Sequence, residues 1–117
     1  MKLLTKAIEA RLRYNREAQT SVQGSSLELD HYPVVKFFTP DGGATWLISE
    51  MYDDGDTLFG LCDLGLGCAE LGNVSLSELK SIRGKFGLPI ERDKWFKADK
   101  TLNQYALVAK QRGRIDA

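Results

Sequence analysis

Six carboxylates, Glu50, Asp53, Asp54, Asp56, Asp63 and Glu70, fall within a segment that holds no lysine or arginine. Residues of this type can do two things when they gather. They can hold a hard divalent cation, which needs several oxygens converging at coordination distance. They can also present an acidic surface to a basic partner, in the manner of proteins that imitate phosphate charge and occupy a nucleic-acid channel. Asp53-Asp54-Gly55-Asp56 lacks the alternating spacing and distal glutamate of a calcium loop. A solvated acidic turn is therefore expected there, no metal ligand set is assigned, and no cofactor is implied.

A second group has the opposite character. Arg92, Lys94, Trp95, Phe96, Lys97 and Lys100 interleave basic and aromatic side chains. That pattern suits single-stranded nucleic acid, through charge on the backbone and stacking on the bases. Packing of Trp95 and Phe96 in the core or at a sheet edge, with the lysines in solvent, explains the same pattern. Lys110, Arg112 and Arg114 extend the basic stretch, and they equally suit the C-terminal end of a helix dipole.

Other candidates carry less chemistry. Gly65-Leu66-Gly67 lacks the third glycine of a dinucleotide fingerprint, and Asp63 and Glu70 would repel phosphate, so it reads as a turn. In Glu91-Arg92-Asp93 the two carboxylates share one face of a strand, and an ion pair with another element is expected. Cys62 and Cys68 fit no common zinc spacing and read as free thiols. His31 has no triad partner in view and no serine sits in a nucleophile elbow, so no catalytic residue is assigned and nothing in the sequence demands enzyme activity.

These groups are held by a sequence of the α+β class. Pro33 and Pro40 bound Val34–Thr39, a β-branched and aromatic run that reads as a strand. Asp41-Gly42-Gly43 suits a tight turn into a returning strand over Ala44–Met51. Asp53-Asp54-Gly55-Asp56 makes a second turn, and strands follow over Leu58–Leu64 and Ala69–Val74. Apolar residues occupy both parities of these strands, which predicts cover on both faces of the sheet. Thr5 caps a first helix whose inward face is Leu4, Ala7, Ile8 and Leu12. Ser75-Leu76-Ser77-Glu78 reads as a capping box opening a helix with Leu76, Leu79 and Ile82 inward and Gly84 or Gly87 at its end. Leu88–Phe96 reads as a fifth strand. Thr101-Leu102-Asn103-Gln104 is a second capping box, with Leu102, Tyr105, Ala106 and Ala109 inward and Gly113 at the C-cap. The expected order is α-β-β-β-β-α-β-α, with a mainly antiparallel, twisted sheet. Mobility is expected at Gln19–Ser26 and at the Asp53 turn.

At 117 residues, residues 1–117 form one expected domain, long enough to bury roughly two-thirds of the unfolded-chain surface. The apolar fraction of 43% argues against disorder. No apolar run approaches the roughly 20 residues of a membrane span, and charges at Lys6, Glu9, Arg11 and Arg13 do not suit a signal peptide. A cytoplasmic location and no membrane partner are expected. Net charge is zero but unevenly spread. Met1–Lys36 carries +2, Phe37–Glu78 carries −8 with no basic residue, and Leu79–Ala117 carries +6. A protein partner for the acidic middle is the leading expectation, and nucleic acid on the basic third the alternative.

Several strings also resemble one family. They are Pro33-Val34-Val35-Lys36, Thr45-Trp46-Leu47, Phe59-Gly60-Leu61-Cys62-Asp63-Leu64-Gly65, Glu70-Leu71-Gly72, Val74-Ser75-Leu76 and Gly87-Leu88-Pro89-Ile90-Glu91-Arg92-Asp93. Together they resemble a bacterial domain-of-unknown-function family, number 2958, over nearly the whole chain. The resemblance implies a short accessory protein of mobile genetic elements such as plasmids and phages. It supplies no established activity and no catalytic residues. Cys68 departs from the family pattern, which argues against shared cysteine chemistry. The combined expectation is a non-enzymatic binding protein that presents an acidic surface to a protein partner, with inhibition of a host defence complex as the suggested role. A nucleic-acid-binding module is the alternative, and a metal-dependent hydrolase or nuclease would require the carboxylates to converge.

Overall fold

Prolines and a glycine-rich turn frame the first hairpin where the side chains require it. The computed structural model describes residues 2–117. Helix α1 spans Lys6–Thr20. Strands β1 (Val35–Phe38), β2 (Thr45–Met51), β3 (Thr57–Asp63) and β4 (Glu70–Ser75) follow, then helix α2 (Leu76–Ser81), strand β5 (Glu91–Arg92) and helix α3 (Leu102–Arg112). All pairings are antiparallel, in the order β4-β3-β2-β1-β5. This is the α+β order read from the sequence. The radius of gyration, 13.7 Å, is that of one compact domain.

Strand β2 is central and buried on both sides, which accounts for its unbroken apolar run. Trp46, Ile48 and Met51 join Val35, Phe37 and Leu58 beneath Leu12 of α1 and Leu76 and Leu79 of α2. Leu47 and Leu61 pack instead with Leu102, Tyr105 and Ala109 of α3, and with Ile115 beyond it. A register shift between Ile48 and Glu50 lets both Ile48 and Met51 reach the first cluster. Gly60 lies opposite Ile48 at that bulge. A Cβ on Gly60 would overlap the Leu47 carbonyl oxygen and come within 2.9 Å of the Ile48 Cα, so no side chain fits.

The caps form as their residue types dictate. The Thr5 hydroxyl accepts from the Ile8 N–H, and the Ser75 hydroxyl from the Glu78 N–H. Thr101 and Gln104 make the full reciprocal box. Gly113 takes the left-handed conformation, φ 75°, that ends α3.

Three local expectations are corrected. Ala7 is exposed, and the inward face of α1 continues instead through the polar residues Asn15 and Gln19. Asn15 donates to the Ser49 carbonyl (3.0 Å), and Gln19 bonds both the N–H and the carbonyl of Leu29 (2.8 Å each). Helix α2 stops at Ser81, ahead of Gly84 and Gly87, because Ile82 is already extended, with ψ 136°. The fifth strand pairs only at Glu91 and Arg92. Upstream, the Asp41 carboxylate accepts the Phe86 N–H (2.7 Å) and draws that segment into a turn. Downstream, the Asp93 carboxylate accepts the Trp95 N–H (2.9 Å) and turns the chain away from the sheet.

Candidate functional site

The six acidic residues do not share one face. Asp53, Asp54 and Asp56 lie in the β2–β3 turn, whereas Asp63 and Glu70 sit at the far end of β3. Seven residues of strand separate Asp56 from Asp63, about 23 Å at the usual rise. Glu50 is buried, 3% exposed, and pairs with Arg16 at 3.3 Å. Arg16 also lies 4.1 Å from the centre of the Tyr52 ring and donates to Gln23. Asp63 is buried too, and its carboxylate accepts the N–H groups of Gly65 (2.8 Å) and Ile115 (2.9 Å).

Two turn aspartates are engaged within the fold. Asp54 accepts from the Thr57 hydroxyl (2.6 Å), the Thr57 N–H (2.8 Å) and the Asp56 N–H (2.9 Å). Asp56 accepts from the Ser75 hydroxyl (2.7 Å) and from the N–H (2.9 Å) and hydroxyl (3.1 Å) of Ser77, tying the turn to the start of α2. The Thr57 hydroxyl lowers the Asp54 pKa, and the Ser75 hydroxyl lowers that of Asp56, from 3.8. A group whose folded pKa is depressed contributes stability above its unfolded pKa and loses it as pH falls through the folded value. Thermal melts are therefore expected to hold steady from pH 7 to about 5 as far as these two groups contribute, then to fall below pH 3.8. Asp56→Asn should flatten that acid limb. An unchanged slope in the variant would count against the turn's role.

Asp53 and Glu70 remain exposed, and Glu70 accepts from the Cys68 thiol at 3.3 Å. That contact raises the Cys68 pKa, and burial pushes the Cys62 thiol up to about 11. Neither thiol is poised as a nucleophile at neutral pH. Among the described residues no group of three or more His, Cys, Asp or Glu is placed to hold a metal ion. The imidazole of His31 is 3.0 Å from the Asn15 carbonyl, and the His31 carbonyl accepts the Leu102 N–H, so this residue joins α1 to α3.

The basic group is likewise divided. Arg92 donates to the Lys2 carbonyl (2.6 Å). Lys100 pairs with Asp99 (3.1 Å) and lies 5.1 Å from the Tyr105 ring centre. Phe96 packs toward Tyr105, centroids 6.4 Å apart at 46°. Asp93 pairs with Lys36 (3.6 Å), the ion pair expected of Glu91-Arg92-Asp93. Lys94 and Lys97 are exposed and without an ion pair among the described residues, and Trp95 is 91% exposed, neither core nor covered edge. No ion pair among the described residues joins the basic last third to the acidic middle.

What the residue list did not reveal is a groove of about 480 Å³ between α2 and the β3–β4 loop. Trp46, Cys62 and Val74 form its floor, Leu79 and Ile82 one wall, and Leu64 and Leu66 the other. Leu66 is 81% exposed and Leu64 60%. The charged residues at its rim, Glu70 and Glu78, are both acidic. Two leucines in a glycine turn, where polar residues are the rule, were the available signal.

Fold and groove together define a small α+β domain with an open apolar cleft rimmed by carboxylates. The chain belongs to the family described as Protein of unknown function (DUF2958), whose model matches residues 3–116. No curated protein and no solved structure matches it significantly. No helix among the described residues is long and apolar enough to cross a membrane.

Proposed function

We propose that this chain is a non-enzymatic binding protein whose partner is another protein, held in the groove between α2 and the β3–β4 loop. The observation that carries this reading is the exposure of Leu64 and Leu66 beside an apolar floor, under a rim charged only by Glu70 and Glu78. Burying two leucines from water is worth about 1.5–3 kcal/mol each, enough to anchor a contact. The rim carboxylates favour apolar residues flanked by lysine or arginine. This reading moves the acidic surface from the Asp53 turn, where Asp54 and Asp56 are hydrogen-bonded internally, to the groove rim at Glu70 and Glu78. The finer role, an accessory of a mobile genetic element that blocks a host defence complex, draws its support from the family resemblance.

The test is affinity capture from the host with the wild-type chain and with E70K/E78K. A partner recovered by the wild type should drop roughly tenfold or more with the double variant at unchanged melting temperature. Equal recovery would overturn the reading.

The exposure of Trp95 favours a second reading, single-stranded nucleic acid on Lys94, Trp95 and Lys97. One stacked base is worth about 1–3 kcal/mol. Two free lysines give a salt slope of only about −1.4, so this contact is weak on its own. Trp95→Ala should abolish quenching of tryptophan fluorescence by oligo-dT at the unpaired site if this reading holds; a wild-type titration that stays flat at low salt removes it.

A further inference from the structure

Strand β4 is an edge of the sheet and, apart from the charge of Glu70 at its first position, carries none of the usual protections. Glu70–Ser75 contains no proline and no lysine, and its register with β3 runs unbroken from Cys62↔Glu70 to Thr57↔Ser75. The direction of its backbone groups follows from two hydrogen bonds. The Leu76 N–H donates to the Asp56 carbonyl (2.8 Å), and the Tyr52 N–H to the Thr57 carbonyl (2.9 Å). Antiparallel strands alternate bonded and non-bonded pairs. Hence Glu70, Gly72 and Val74 address β3, while the N–H and carbonyl groups of Leu71 and Asn73 point outward. No group among the described residues bonds them.

This row of free donors and acceptors runs beside the apolar groove. Glu70 and Val74 line the groove from β4, and Asn73 lies between it and a polar hollow of about 290 Å³ that also includes Arg16, Glu28 and Glu50. A strand laid along β4 would alternate its side chains between these two environments. One set would meet the groove floor and the other the polar hollow. Glu70 and Glu78 lie at the rim of the groove, and no basic residue occurs anywhere between Phe37 and Glu78.

From this geometry we propose that β4 is a strand-addition site. Its occupant is an extended segment of a partner protein, apolar at alternate positions, polar between them, and flanked by lysine or arginine. Backbone bonding to Leu71 and Asn73 supplies affinity, and the groove selects the side chains. The inference rests on the groove reading above and adds the mode of binding.

The probe is a fluorescein-labelled peptide alternating valine and threonine between lysine pairs, followed by anisotropy. A twin carries N-methyl groups on alternate amides. Asn73→Pro removes one outward N–H and leaves the bonds to β3 in place, and Gly72 before it eases the steric demand of proline. Binding should weaken roughly five- to tenfold with Asn73→Pro and with the methylated peptide, as loss of a hydrogen bond requires. Amide exchange at Leu71 and Asn73 should slow when the unmethylated peptide binds to the wild type, a readout that stands even if the proline variant fails to fold. Binding that falls with E70K/E78K but ignores methylation, with exchange at Leu71 and Asn73 unchanged, overturns strand addition and keeps the groove. Binding indifferent to all of these changes overturns both. No binding overturns strand addition, and the capture experiment still judges the groove. A doubled sedimentation mass of the free chain, abolished by Asn73→Pro, would assign the edge to a second copy and overturn the partner segment.

Discussion

Gly60→Ala is expected to lower the unfolding free energy by about 3 kcal/mol or more, the upper range for forcing volume into a packed core. The obstacle is backbone, which cannot swing aside as a flexible side chain does. The new methyl group would overlap the Leu47 carbonyl oxygen and stand 2.9 Å from both the Cα and the Cδ1 of Ile48. Relief requires moving β3 away from β2, and Ile48, Leu58 and Leu61 beside the site are fully buried. Urea denaturation measures the loss. Gly72 is the internal control: it is the β4 partner of Gly60, and a Cβ there meets nothing within 4 Å. Gly72→Ala should stay within about 0.5 kcal/mol of the wild type, as open positions do. Equal midpoints for Gly60→Ala and the wild type would refute the close approach.

Asp63→Ala is expected to cost about 2–3 kcal/mol, the range for losing hydrogen bonds to a charged, buried acceptor. Its carboxylate joins two parts of the chain, the turn at Gly65 and the segment after α3 at Ile115. Ile115 belongs to the second core cluster, so its N–H would be left buried without a partner. The melting temperature should fall by about 10 °C for a chain of this size, and the Ile115 amide should exchange faster. Asp63→Asn keeps an acceptor oxygen and should recover a large part of the loss. If the alanine and asparagine variants melt together with the wild type, the two bonds contribute nothing. Release of the Gly65 turn would also free Leu64 and Leu66, so Asp63→Ala should weaken any partner held in the groove.

Much of the fold was legible because its signals are short-ranged. Thr5, Ser75 and Thr101 cap helices through N–H groups three residues ahead, and these bonds form wherever the local chain is helical. Pro33 and Pro40 bracket the first strand, and Asp53-Asp54-Gly55-Asp56 turns the second into the third. The misreadings are those in which a distant residue intervened. The fifth strand is short because Asp41, forty-five positions earlier, holds the Phe86 N–H. Asn15 faces inward because the bulge presents the Ser49 carbonyl, thirty-four positions on.

The candidate site divides the same way. Residue order alone determined the α+β alternation, the helix caps and a central stretch of charge −8 flanked by basic segments, since these follow from neighbours and from composition. Tertiary structure alone decided which charges reach the surface. Glu50 and Asp63 are buried because Arg16 and the Ile115 N–H meet them across thirty-four and fifty-two positions, and burial of a carboxylate without such a partner would be prohibitive. It also decided that Leu64 and Leu66 face an open groove, since packing of α2 against β4 leaves that floor uncovered and no local rule encodes where a helix stops short.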